Sequence, residues 1–194
     1  ISKQPTILCM NVESKLEPNI SWLQERLNLT DAQVSKIIRT QPSLLCYSTS
    51  DKMEPNLDWF QKVLKLSNSQ TQKIVMSKPN ILYLSIEDNM KPTLTWLKLR
   101  LLLKNNSELA TVIEKFPSLL SLSIDTNLEP TLDFYSKALG NEKRAIAMLK
   151  HDPIMFSYSL EKRLKPRLKQ AKELEWDINE GTFGKITRYT ELRW

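Results

Sequence analysis

Few residues in this 194-residue chain have the makings of a reactive centre. Its one histidine, His151, is followed by Asp152 and Pro153. A His–Asp pair can pass a proton, but a histidine closing a helix also serves as a cation against the negative end of the helix dipole. The second use asks nothing more of the sequence, so no catalytic residue is assigned and the chain is read as a non-enzyme. Glu17, Glu54 and Glu129 each precede a proline and read as acids complementing helix N-termini. Cys9 and Cys46 are expected about 10 Å apart on stacked elements, beyond the reach of a disulfide. They read as small apolar residues. Trp22, Trp59 and Trp96 have the surface to stack on bases, but their even spacing favours packing between repeats. With 3 glycines there is no Gly-rich loop to cradle a cofactor phosphate. No cofactor, metal or small-molecule substrate is expected.

The elements that position these residues follow from the prolines. Pro5–Pro18, Pro42–Pro55, Pro79–Pro92, Pro117–Pro130 and Pro153–Pro166 are five pairs, each thirteen residues apart. The first members recur at intervals of 37, 37, 38 and 36 residues, a period of stacked supersecondary units. Counted from the second proline, apolar residues fall at −2, +2, +5 and +9, as in Met53, Leu57, Phe60 and Leu64. These positions share one face of a helix. Trp22, Trp59, Trp96 and Phe134 start a second stripe at +4. Ser50 or Asp51 is the expected cap of the second repeat's long helix, with Pro55 in its first turn. A second helix is expected behind Thr30 or Asp31, Ser67 or Asn68, Asn106 or Ser107, and Asn141. A short 3₁₀ turn is expected after each first proline, as in Pro42–Ser48. The expected fold is therefore all-α: an α-solenoid of about five 36–38-residue repeats, each with two α-helices and a 3₁₀ turn. It forms one domain over 1–194, with repeats at about 5–41, 42–78, 79–116, 117–152 and 153–194. From the initial Ile, a fragment or processed form of a longer chain is expected.

The stretch "PSLLSLSIDTNLEPTLDFYSKALG", Pro117–Gly140, resembles the repeat of the mitochondrial transcription termination factor (mTERF) family. The resembling features are P-x-L-L, a Ser-containing polar stretch, an apolar-x-Pro step and a helix ending near L-G. The resemblance covers about five copies over residues 5–190. It implies a curved, left-handed superhelix that binds nucleic acid in a basic groove. It also implies a role in organelle transcription, RNA processing or ribosome assembly, hence in a mitochondrion or chloroplast. Asn28, Lys65 and Leu102 stand in the glycine place of the other copies, Gln170 replaces the aromatic at +4, and "LEWDINEGTFGKITRY" breaks the pattern.

The cations carry the functional expectation. The net charge is +6. Lys36, Arg39, Lys73, Lys78, Lys115, Arg144 and Lys150 are expected at the ends of the second helices, so stacking would line them up along a phosphate backbone. Lys162, Arg163, Lys165, Arg167 and Lys169 belong to the densest basic stretch, "LEKRLKPRLKQAK". Phosphate contact without base reading is expected, with double-stranded DNA favoured and RNA an alternative. Leu99 and Leu102 fall on a helix face that is polar elsewhere, which suggests cover by a protein partner or by a deeper bend of the solenoid. A protein-interaction scaffold for an organellar RNA-processing or ribosome-assembly factor is the second reading. No apolar run is long enough to span a membrane.

Overall fold

Each repeat opens at a small polar residue seven positions before the second proline: Asn11, Ser48, Ser85, Ser123 and Ser159. In this computed structural model, which describes residues 10–188, the side-chain oxygen of each accepts a hydrogen bond from the amide three residues on. That is an N-cap. The five residues that follow form one wide turn, over Val12–Leu16, Thr49–Met53, Ile86–Met90, Ile124–Leu128 and Leu160–Leu164. It is closed by amide-to-carbonyl bonds spanning five residues, such as Met53 to Ser48 and Leu164 to Ser159, both 3.0 Å. A proline deep in a regular helix loses a bond to, and collides with, the carbonyl four residues earlier. The wide turn carries the chain past that conflict. The cap of the second long helix is thus Ser48, not Ser50 or Asp51, because the wide turn adds length ahead of Pro55.

The long helices are α1 (Glu17–Leu27), α3 (Glu54–Leu64), α5 (Lys91–Arg100), α7 (Glu129–Leu139) and α9 (Lys165–Glu173). Each is followed by a residue with positive φ: Asn28, Lys65, Leu102, Gly140 and, one residue early, Glu175. The residue after it returns an amide to the helix, as in Leu29 to Gln24 (2.9 Å) and Leu103 to Lys98 (2.9 Å). These are left-handed C-caps, which explains the "LG" place. The second helices are α2 (Asp31–Thr40), α4 (Asn68–Ser77), α6 (Asn106–Lys115), α8 (Glu142–His151) and α10 (Glu180–Arg188). Thr30, Ser67 and Asn141 cap as expected, and the first two form reciprocal capping boxes with Gln33 and Gln70. The third cap is Asn105 rather than Asn106 or Ser107. α10 falls in the stretch where the sequence pattern breaks, and Asn179 Oδ1 accepts from Thr182 N to start it. 3₁₀ turns at Pro42–Cys46, Pro79–Leu82, Pro117–Ser121 and Pro153–Ser157 link the repeats. No strand occurs among the described residues. The fold is an all-α repeat array of the solenoid class. Ile7, Leu8 and Cys9 lie outside the described residues.

The spacing within a repeat is nearly rigid. Cap to second proline, second proline to left-handed residue, and second-helix cap to the next first proline hold constant lengths through the first four repeats. Only the step from Asn28 to Thr30, Lys65 to Ser67, Leu102 to Asn105 and Gly140 to Asn141 changes. The drift of the period between 36 and 38 is confined to that step.

The described residues form two compact units. The first contains the residues up to Pro92 together with Asn105–Leu120; the second contains Thr93–Lys104 together with the residues from Ser121 on. In the first unit Leu23, Leu27, Leu44, Met53 and Leu57 form a continuous buried core with Val75 and Leu82. Buried Asn19 donates to the carbonyls of Leu45 (2.9 Å) and Tyr47 (3.0 Å) of the next repeat, and Asn56 donates to Leu84 (2.7 Å) one repeat on. The second unit buries Leu128, Leu132, Tyr135, Phe156 and Phe183. Tyr135 and Phe183 meet edge to face at 5.0 Å, which gives α10 its anchor. Burial pushes the Tyr135 hydroxyl pKa up.

Candidate nucleic-acid interface

In the first unit α2 and α4 are equivalent helices, so residues 37 apart take equivalent places. Lys36 and Lys73, both exposed, line one open groove of about 480 Å³ with Gln33, Gln72, Met76 and Ser77. No acidic side chain lines it. Lys73 also has Glu114 of α6 at 3.8 Å, a long contact between exposed groups. Arg39 lies on α2 outside the groove, its guanidinium 3.4 Å from Ser35 Oγ, and Met76 takes the equivalent place on α4. Lys78 is the C-cap directly after α4, and Lys115 is the last residue of α6. The sequence column of cations thus contributes two lysines to the groove; Arg39, Lys78 and Lys115 do not line it.

In the second unit the predicted cations divide by what holds them. Arg144 grips both oxygens of Glu180 at 2.7 Å, and this pairing holds the Glu180 carboxyl down to about 2. Arg167 stands where α1 and α3 carry Asn19 and Asn56, and donates to the carbonyl of Ile186 on α10. Partial burial, then the neighbouring Arg163, lowers its pKa. Arg144 and Arg167 therefore tie α10 to the repeat. Lys150 is half-buried in the last turn of α8. Lys162, Arg163 and Lys165 cluster instead at the start of the fifth long helix. Lys162 is exposed, the Arg163 guanidinium lies 4.9 Å from the Tyr158 ring centroid, and Lys165 pairs with Glu161. Lys169 follows one turn on, with Glu173 at 3.8 Å.

The mTERF family model matches residues 1–103 and 102–180, nearly the whole chain. The chain belongs to the mTERF family. None of the curated proteins compared with it matches. Membership carries the coarse reading of a nucleic-acid-binding, non-enzymatic repeat protein of organelle gene expression. No helix among the described residues is long and apolar enough to cross a membrane. No group of three or more His, Cys, Asp or Glu among them is placed to hold a metal.

This mTERF chain also uses residues that sequence reasoning set aside. Trp22 Nε1 donates to Glu54 at 2.5 Å, and Arg26 reaches Glu54 at 2.6 Å and Asp58 at 2.7 Å. Trp96 Nε1 likewise donates to Glu129 at 2.6 Å, and Arg100 reaches Glu129 at 2.6 Å and Glu142 at 3.2 Å. Hydrogen bonds from Arg100, chiefly, hold the Glu129 carboxyl below its usual range. These glutamates bind the long helix of one repeat to that of the repeat before, a larger role than complementing a dipole. A signal for this was present: Arg26 goes with Glu54 and Arg100 with Glu129, whereas Val63 goes with Lys91 and Ala138 with Lys165.

Proposed function

We propose that the chain binds nucleic acid, duplex DNA before RNA, by sequence-neutral phosphate contacts, and acts in transcription control in a mitochondrion or chloroplast. The observation that carries this reading is the charge at the start of the fifth long helix. Helix N-termini favour acids, because the dipole is positive there. In repeats two to four acids lead: Asp51, Glu87, Asp88 and Asp125 stand in the opening turns, and the cations there, Lys52 and Lys91, come singly. The fifth repeat sets Lys162 and Arg163 beside its single Glu161, followed by Lys165 and Lys169. Cations in the last turn of a helix explain themselves structurally; cations in the first turn do not. A helix N-terminus bearing lysine and arginine attracts an anion such as phosphate. The acid-free groove between Lys36 and Lys73 adds a second cationic surface in the first unit.

The test substitutes Lys162→Asp. Aspartate is what repeats two and three carry at that place, where Asp51 and Asp88 accept from the capping serines at 2.9 and 2.7 Å. Stability is expected to rise by about 0.5 kcal/mol. Duplex affinity is expected to fall alike for all sequences, and the salt slope to shrink by about one per lost phosphate contact. Gel-shift titrations at several salt concentrations, beside urea unfolding, read both. Unchanged affinity in this variant and in Lys36→Gln with Lys73→Gln refutes the reading.

A further inference from the structure

The seventh position after the second proline is charged in four repeats: Glu25, Lys62, Lys137 and Glu173. In the third repeat it is Leu99. Three residues on, at the left-handed C-cap, Asn28, Lys65 and Gly140 give way to Leu102. Leu99 lies in the last turn of α5 and Leu102 just beyond its end, and these two side chains are 68% and 61% exposed. Leu102 also holds φ at +52°, where a branched side chain is strained. Neither leucine contributes to a core, and both are costly to the chain in isolation. Two such departures at one corner of one repeat describe a docking face.

The charge around them indicates what docks. Residues 91–107 contain Lys91, Lys98, Arg100 and Lys104 and no Asp or Glu. Lys98 and Lys104 flank the leucines along the chain, and Arg100 is engaged with Glu129 and Glu142. Only the sign of these charges matters here. We propose that Leu99 and Leu102 seat an acidic, amphipathic helix of a partner protein, whose apolar stripe covers the leucines and whose carboxylates meet the surrounding cations. Phosphates offer the leucines nothing apolar to cover them, so this face is assigned to a protein and not to the phosphate contacts.

The probe is a fluorescein-labelled helical peptide with leucines on one face and glutamates on the other, beside a scrambled peptide of the same composition. The wild-type chain should raise the anisotropy of the first and not the second, more weakly as salt rises. Leu99→Gln with Leu102→Asn should weaken binding about tenfold or more, from the apolar area no longer covered. This variant should leave duplex affinity unchanged, which separates the proposal from the nucleic-acid reading. Asparagine is what the first repeat carries at that cap, so the fold should survive, as circular dichroism will show. Equal binding by variant and wild type overturns the proposal. So does a wild type that ignores the peptide at about millimolar concentration, the weak end of specific association. Self-association of the wild type in sedimentation, abolished in the variant, assigns the face to a second copy and likewise overturns it.

Discussion

Thr131 occupies the position that Asn19 and Asn56 use to reach the next repeat, yet its hydroxyl is buried without a hydrogen-bond partner among the described residues. A threonine is one atom too short to bridge repeats as the asparagines do. Leaving a hydroxyl buried and unpaired costs about 1–3 kcal/mol. Thr131→Val keeps the shape and removes the polar atom, so the urea midpoint is expected to rise, by about 1 kcal/mol in stability. Glu129 presents the opposite case. It satisfies both Trp96 and Arg100; Arg100 keeps Glu142, but Glu129→Ala strands the buried Trp96 Nε1, and stability is expected to fall by about 1 kcal/mol. The sequence shows Arg100 and Glu129 as ordinary charges. What identifies them as partners is the chain's habit of changing both together, as at Val63 with Lys91.

At the scale of the element, the cap serines are the clearest handles. Ser123→Ala removes the acceptor for Thr126 N and is expected to cost about 1 kcal/mol, read by thermal or urea unfolding. The paired prolines, the apolar faces and most second-helix caps are legible in the sequence, because each rests on local chemistry repeated five times. The long-helix cap is not, because a turn closed over five residues shifts the start away from where an ordinary helix would put it. α10 is not legible either. Gly181 and Gly184 lower its helix propensity, and its existence depends on distant partners: Phe183 on Tyr135, Glu180 on Arg144, and the Ile186 carbonyl on Arg167. The candidate site divides the same way. The sign and column of Lys36 and Lys73 follow from the repeat. The engagement of Arg144 and Arg167 depends on a helix that the repeat pattern does not announce.

For the whole molecule, pH sums these contacts. Glu180 and Glu129 have folded pKa values below the ordinary carboxylate value of 4.5. A depressed carboxylate stabilises the fold above its unfolded pKa, and the benefit is lost as pH falls through the folded value. For Glu180 that window runs from 4.5 to about 2. Urea unfolding at several pH values is expected to show stability falling over this range, with a shallower fall in Glu180→Gln. Above neutrality these two groups contribute no slope.

Through the first four repeats, the short step between the left-handed residue and the next cap is the one place that differs in length, from one residue at Gly140–Asn141 to three at Leu102–Asn105. Everything else is held by hydrogen bonds that count residues. Foreign sequence spliced in at Lys104 would therefore bulge outward as a loop and leave the fold intact, whereas one residue added between Ser123 and Pro130 would throw the buried side chains of that helix out of register. The array has in this joint a natural port for grafting.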